Sequence, residues 1–118
     1  MENDISERLE NFAVEIIKLV GKICKSFVGR HVGGQLLSSP TSAGANYEEV
    51  CGAESRSDFV HKLQIVFKEL KESVYWLRLI SKSGLLPTGE VIGPFGEGKE
   101  LPSIIAKSIV TAKRIRKP

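Results

Sequence analysis

The chain has 118 residues, 17 basic and 14 acidic, with 42% hydrophobic residues and a mean hydropathy of −0.05. That apolar fraction excludes a disordered chain, and two distant cysteines, Cys24 and Cys51, exclude a disulfide scaffold. No apolar run approaches the ~20 residues of a membrane span, and the size suits one domain over residues 1–118. The acidic start Met1-Glu2-Asn3-Asp4 lacks the basic segment of a secretory leader, so a cytoplasmic location is expected.

Residues 4–28 predict a first amphipathic helix. Leu9, Phe12, Ile16, Leu19, Ile23 and Phe27 recur by threes and fours, and Asp4 with Glu7 resembles a capping box. Ala13, Ile17, Val20 and Cys24 form a second apolar strip beside that stripe. Gly29-Arg30-His31 predicts a break, followed by a second helix over residues 32–53. Pro40 stands inside it, within the small-residue run Ser38–Ala45, and withdraws the donor that Leu36 would receive. A kinked helix is expected, because Tyr47, Val50 and Cys51 restore helical spacing beyond it.

Residues 57–83 give the clearest periodicity, with Ser55 and Asp58 as an N-terminal cap. Phe59, Leu63, Val66, Leu70, Val74, Leu77 and Ile80 make its stripe, widened by Phe67 and Trp76. Residues 84–100 carry Gly84, Pro87, Gly89, Gly93, Pro94, Gly96 and Gly98, which predicts a long loop. Only the Val91-Ile92 pair within it looks strand-like. Pro102 suits the first turn of a last helix over residues 102–116, with Ile105, Ser108, Ile109 and Ala112 facing inward. Four amphipathic segments imply an all-α, up-down-up-down four-helix bundle. The second apolar strips exceed what one core requires, so a cyclic homo-oligomer is expected.

The run Gln35–Glu49, with Ala53–Phe59 and Tyr75–Leu79, resembles the bacterial four-helix-bundle family named for a reading frame in intervening sequences of 23S rRNA. Residues 7–83 carry the resemblance most strongly. It implies a bundle assembled as a homopentameric ring. It also implies kinship with the accessory variability determinant of diversity-generating retroelements, a basic pentamer that binds nucleic acid and a reverse transcriptase. Pro40, Thr41, Ser42, Asn46, Tyr47 and Glu49 form the motif of the family. The polar groups Asn46, Tyr47 and Glu49 are expected to satisfy the carbonyl freed by Pro40 and to bridge helices or protomers.

Charge is unevenly placed on such a bundle. Residues 1–15 and 43–67 are net acidic, whereas residues 16–42 and 68–84, at the opposite end, are net basic. Two basic stripes fall there: Lys18, Lys22 and Lys25 on the first helix, and Lys68, Lys71, Tyr75, Arg78 and Lys82 on the third. Mobile cations along a ridge with a ring among them suit phosphate contact and base stacking in RNA or DNA. The same stripes also suit a solvated bundle face, with Glu69 and Glu72 nearby. The tail Lys113-Arg114-Ile115-Arg116-Lys117 complements a helix C-terminus and could pair with Glu7, Glu10 or Glu49.

No reaction is legible. Asp58-x-x-His61 is half of a di-metal motif, the cysteines lack metal-ligand spacing, and no serine sits in a nucleophile motif. Gly93–Gly98 follows no strand and ends in no Gly-Lys-Ser/Thr, so it is not a phosphate loop. The sequence therefore points to a protein without catalytic residues, metal or cofactor. The leading class is an oligomeric bundle binding nucleic acid, and the alternative is a protein–protein scaffold or adaptor whose charges serve solubility.

Overall fold

The computed structural model describes residues 2–115; Met1 and residues 116–118, including Arg116 and Lys117 of the basic tail, lie outside the described residues. Four helices follow one another: α1 (Glu2–Gly21), α2 (Phe27–Val50), α3 (Arg56–Ser83) and α4 (Thr88–Ile115). Successive helices pack as antiparallel neighbours, and α4 closes on α1 along a thinner seam. The result is an up-down-up-down bundle with extents of 53 × 20 × 20 Å, in which α1 lies diagonally across from α3.

The stripe of α1 is buried as its periodicity predicts, through Leu9, Phe12, Ile16 and Leu19. The helix nevertheless ends at Gly21 rather than residue 28. Lys22 and Ile23 donate to the carbonyls of Leu19 and Val20 at 3.0 Å, which tightens the last turn. Ser26 then caps α2: its backbone is extended, and its Oγ accepts from the Gly29 amide at 2.9 Å. The break thus precedes Gly29-Arg30-His31, which are helical. Gly29 makes so tight a turn possible, because a Cβ there would stand 1.7 Å from the carbonyl oxygen of Ile23. Phe27, expected on the core stripe, is 80% exposed because the chain has already turned.

The second apolar strip of α1 is largely consumed within the chain. A Cβ on Gly33 of α2 would lie 3.0 Å from Val20 Cγ1 and 3.2 Å from Cys24 Sγ, so α2 seats directly on that strip. Ile17 alone of the four is exposed. On α3, Phe67 and Trp76 are half-buried against the core in the same way.

α2 is one uninterrupted helix through Pro40, which is buried. Ser39, rather than Asn46, Tyr47 or Glu49, serves the freed carbonyl: its Oγ donates to the oxygen of Leu36 at 3.4 Å and accepts from Ser73 Oγ of α3 at 3.3 Å. Thr41 Oγ1 donates to the next carbonyl, of Leu37, at 2.8 Å. α3 matches its expected bounds closely. The Ser55 hydroxyl accepts from the Asp58 amide at 3.1 Å, and the far end closes on Gly84 in the left-handed region at φ 78°.

The largest departure is α4. Residues 88–100 are helical, including Val91-Ile92, and Pro94 and Pro102 lie inside the helix rather than at its start. Val91, Pro94, Gly98, Leu101, Ile105 and Ala112 are buried on one stripe at spacings of three, four, three, four and seven. Tertiary burial of that stripe outweighs the ~1 kcal/mol that each glycine and the ~3 kcal/mol that an interior proline cost an isolated helix. Ile105 and Ala112 face inward as expected and Ile109 is half-buried, but Ser108 is exposed.

Two predictions follow from these backbones. Gly29→Ala should destabilise the fold in urea denaturation, whereas Gly34→Ala, with open space around its Cβ, should stabilise it by about 0.5–1 kcal/mol. Pro40→Ala should raise stability by well under the ~3 kcal/mol of an isolated helix, because Ser39 already serves the Leu36 carbonyl. Chemical denaturation of the three variants measures these differences directly.

Candidate nucleic-acid interface

The burial pattern of α3 orients its basic residues. Leu63, Val66, Leu70, Ser73, Leu77 and Ile80 face the core, which turns Lys68, Tyr75 and Lys82 directly outward. Lys71 and Arg78 stand between that outer line and α4, and all five are exposed. Among the described residues, no carboxylate lies within 4.0 Å of the charged nitrogens of Lys68, Lys71, Arg78 or Lys82. The neighbouring acids face the other way, toward α2: Glu69 accepts from Asn46 Nδ2 at 3.0 Å. Glu72 accepts from Trp76 Nε1 at 3.4 Å. Tyr75 is 48% exposed and stands edge-on to Trp76, with ring centroids 5.0 Å apart. Trp76 in turn meets the His31 ring edge-on at 6.4 Å.

Lys18, Lys22 and Lys25 occupy the same end of the bundle but do not join this surface. α1 is diagonal to α3, and α4 runs between their exposed sides. Lys22 is also occupied, its Nζ lying 2.8 Å from Glu90 Oε1. Further along the same seam, Arg8 holds Glu97 in a two-pronged pair, Nε to Oε2 at 3.0 Å and Nη2 to Oε1 at 2.7 Å. Glu100 lies 3.2 Å from the same guanidinium, and this carboxylate setting raises the pKa of Arg8 further. The acids expected in a loop therefore line the α1-facing side of α4 and pair with Lys22 and Arg8, whereas Lys18 and Lys25 have no carboxylate within 4.0 Å among the described residues.

The opposite side of α4 carries a cation absent from both stripes. Lys99 stands 5.4 Å from the centroid of Phe95, and Lys71 stands 5.9 Å from that of Phe67. Together with Arg78, they line a groove of about 490 Å³ between α3 and α4, floored by Phe67, Val74 and Pro102. The three-four spacing of Val91, Pro94, Gly98 and Leu101 is the signal that places Lys99 there. Punctuation by glycine and proline hides that signal.

The remaining motif residues serve the fold. Asn46 joins α2 to α3 through Glu69, Glu49 joins it to Lys62 at 3.4 Å, and Tyr47 is half-buried against the core. Ser42 is half-buried and Thr41 exposed on α2. Asp58 accepts from the Glu54 amide at 3.2 Å, while His61 is exposed. Among the described residues, no cluster of His, Cys, Asp and Glu could hold a metal, and no helix is long and apolar enough to cross a membrane. A wider cavity of about 890 Å³ opens at the other end, beside Cys51, Phe59 and Ile104. Arg56 Nη1 crosses there to the Ala112 carbonyl at 3.4 Å. Lys113 and Arg114 are exposed in the last turn of α4.

Residues 1–107 match the family described as 23S rRNA-intervening sequence protein. The chain belongs to that family. A crystal structure of a protein of unknown function from the S23 ribosomal protein family, from Bacteroides thetaiotaomicron VPI-5482, superposes on it with a TM-score of 0.82. The two are 31% identical, and the match covers 89% of this chain and 97% of that one. No curated protein sequence matches the chain. The family assignment agrees with the four-helix architecture.

Burial raises the pKa of the Glu69 carboxyl, the Asn46 amide opposes that rise, and the charge on Glu72 adds to it. A carboxyl whose folded pKa is raised binds its proton more tightly when folded. Stability is therefore lost as pH rises from the ordinary carboxylate value of 4.5 through the raised one. Glu69→Gln keeps an acceptor for Asn46 and removes the charge. Its Tm should match the wild type at acidic pH and exceed it near pH 7, a difference that melting curves across that range measure.

Proposed function

We propose that this member of the 23S rRNA-intervening sequence protein family is a non-enzymatic bundle that binds RNA or DNA through the exposed basic face of α3. The observation that carries this is the absence of carboxylates within pairing distance of Lys68, Lys71, Arg78 and Lys82 among the described residues. Cations without carboxylate partners attract an external polyanion at no cost in broken ion pairs, and counterion release drives the association. Tyr75 adds a half-exposed ring on the same face for base stacking. The other predicted stripe contributes less, because Lys22, in the turn after α1, is held by Glu90.

Assembly belongs to the same proposal. Val14, Ile17, Phe27, Val28, Ile92 and Val110 leave apolar surface exposed on α1, in the first turn of α2 and on α4. A head-to-tail contact between unlike patches closes a ring, which the family resemblance makes a pentamer, and a ring multiplies weak phosphate sites into avidity. Light scattering at micromolar concentration tests this, and a monomer of about the chain mass of 13.0 kDa counts against it.

Binding should weaken steeply with salt. Four phosphates neutralised per protomer correspond to a log–log slope of about −3 on a single strand. Paired reversal, Lys71→Glu with Arg78→Glu, should abolish binding in fluorescence anisotropy while light scattering leaves the assembly unchanged. The exposed Phe27 and Val28, near the His31–Trp76 pair, favour a second reading as a protein adaptor. An adaptor predicts no nucleic-acid binding by the wild type even at about 50 mM salt.

A further inference from the structure

The groove between α3 and α4 differs from the rest of the basic face in having an apolar floor. Phe67 and Val74 supply one wall from α3, and the buried ring of Pro102 supplies the other from α4. Ser103 and Ala106 are small, which leaves the α4 wall open. Lys71, Arg78 and Lys99 stand at the rim, and no acidic residue contributes to the lining. Among the described residues, none of these three cations lies within 4.0 Å of a carboxylate; Lys71 and Lys99 instead rest over the rings of Phe67 and Phe95. The space, about 490 Å³, falls within the roughly 300–1,000 Å³ of small-molecule sites.

We propose that this groove is a subsite for one nucleotide unit of a single strand, its base against the apolar floor and its flanking phosphates on Lys71, Arg78 and Lys99. The inference rests on the nucleic-acid reading above and narrows it. An ammonium parked over a phenyl ring is held loosely and can move to a phosphate, which uncovers the Phe67 face for the base. A duplex keeps its base faces stacked within itself, so it offers the floor nothing and meets only the rim. A single strand can unstack a base into an apolar slot flanked by cations. The groove therefore confers preference for single strands, and Lys99 becomes part of the binding surface although it lies off α3.

Fluorescence anisotropy on the full chain tests this with a labelled 12-nucleotide single strand and a duplex of equal length at about 50 mM salt. The wild type is expected to prefer the single strand. Lys99→Glu should weaken single-strand binding about tenfold or more and lower the salt slope by about 0.7. Phe67→Leu keeps an apolar side chain of similar bulk and should cost roughly fivefold or more while leaving the salt slope unchanged. Lys107→Glu, an exposed change of equal charge elsewhere on α4, should have a smaller effect than Lys99→Glu. Melting curves confirm that each variant folds, and Lys99→Gln serves should the reversed charge unfold the chain.

Loss of binding on Lys71→Glu with Arg78→Glu, but none on Lys99→Glu or Phe67→Leu, overturns the groove and leaves the basic face intact. Duplex preference over the single strand does the same. Absence of wild-type binding to both probes overturns the nucleic-acid reading itself, and the groove with it.

Discussion

At Gly98, α4 comes close to α1 and α3 at once. A Cβ at that position would lie 3.3 Å from Phe12 Cζ on α1 and 3.4 Å from Val74 Cγ2 on α3, so the two side chains together close on bare backbone. The approach places α4 in the seam between α1 and α3, which lie diagonally across the bundle. Its other features are set from there: Val91, Pro94, Leu101 and Ile105 reach the interior, and Lys99, next in sequence, turns toward α3. Without that close seat, the wall bearing Pro102 would stand farther from Phe67 and Val74.

The same seating sorts charge. Glu90, Glu97 and Glu100 fall on the α1 side of α4, where they meet Lys22 and Arg8. Lys99 falls on the α3 side, beside Lys71 and Arg78. One helix thus pairs its acids with Arg8 and Lys22 along one seam and adds a cation to those of α3 along the other. A modest net charge of +3 conceals this division, because opposite signs cancel over the whole chain while staying separate in space.

The α3 helix was legible in the sequence nearly to the residue, because its stripe, its Ser55 cap and its closing Gly84 all agree. The core of α1 was legible too, but its end was not. Ile23 continues the helical spacing into the turn and is buried there, so periodicity alone cannot separate helix from turn. Ser26 and Gly29 carried the missing signal, and it is a close backbone approach that no pattern of side chains encodes. α4 was misjudged because propensity argued against burial, and burial prevailed. The site inherited that error: Lys68, Lys71, Tyr75, Arg78 and Lys82 were legible from α3 alone, whereas Lys99 and the Lys22–Glu90 pair required the true path of α4.

The hydroxyls of Ser39 and Ser73 are the buried polar groups of an otherwise aliphatic interior. They meet at 3.3 Å from opposite helices. Aliphatic side chains tolerate sliding, since a leucine one turn away offers much the same surface. Hydroxyls do not. Shifting α2 along α3 by one turn, about 5.4 Å, would break the contact between them, although each keeps its own helix's carbonyl, Leu36 for Ser39 and Glu69 for Ser73. The pair is thus a polar contact made at this one alignment of α2 on the helix that displays the basic face.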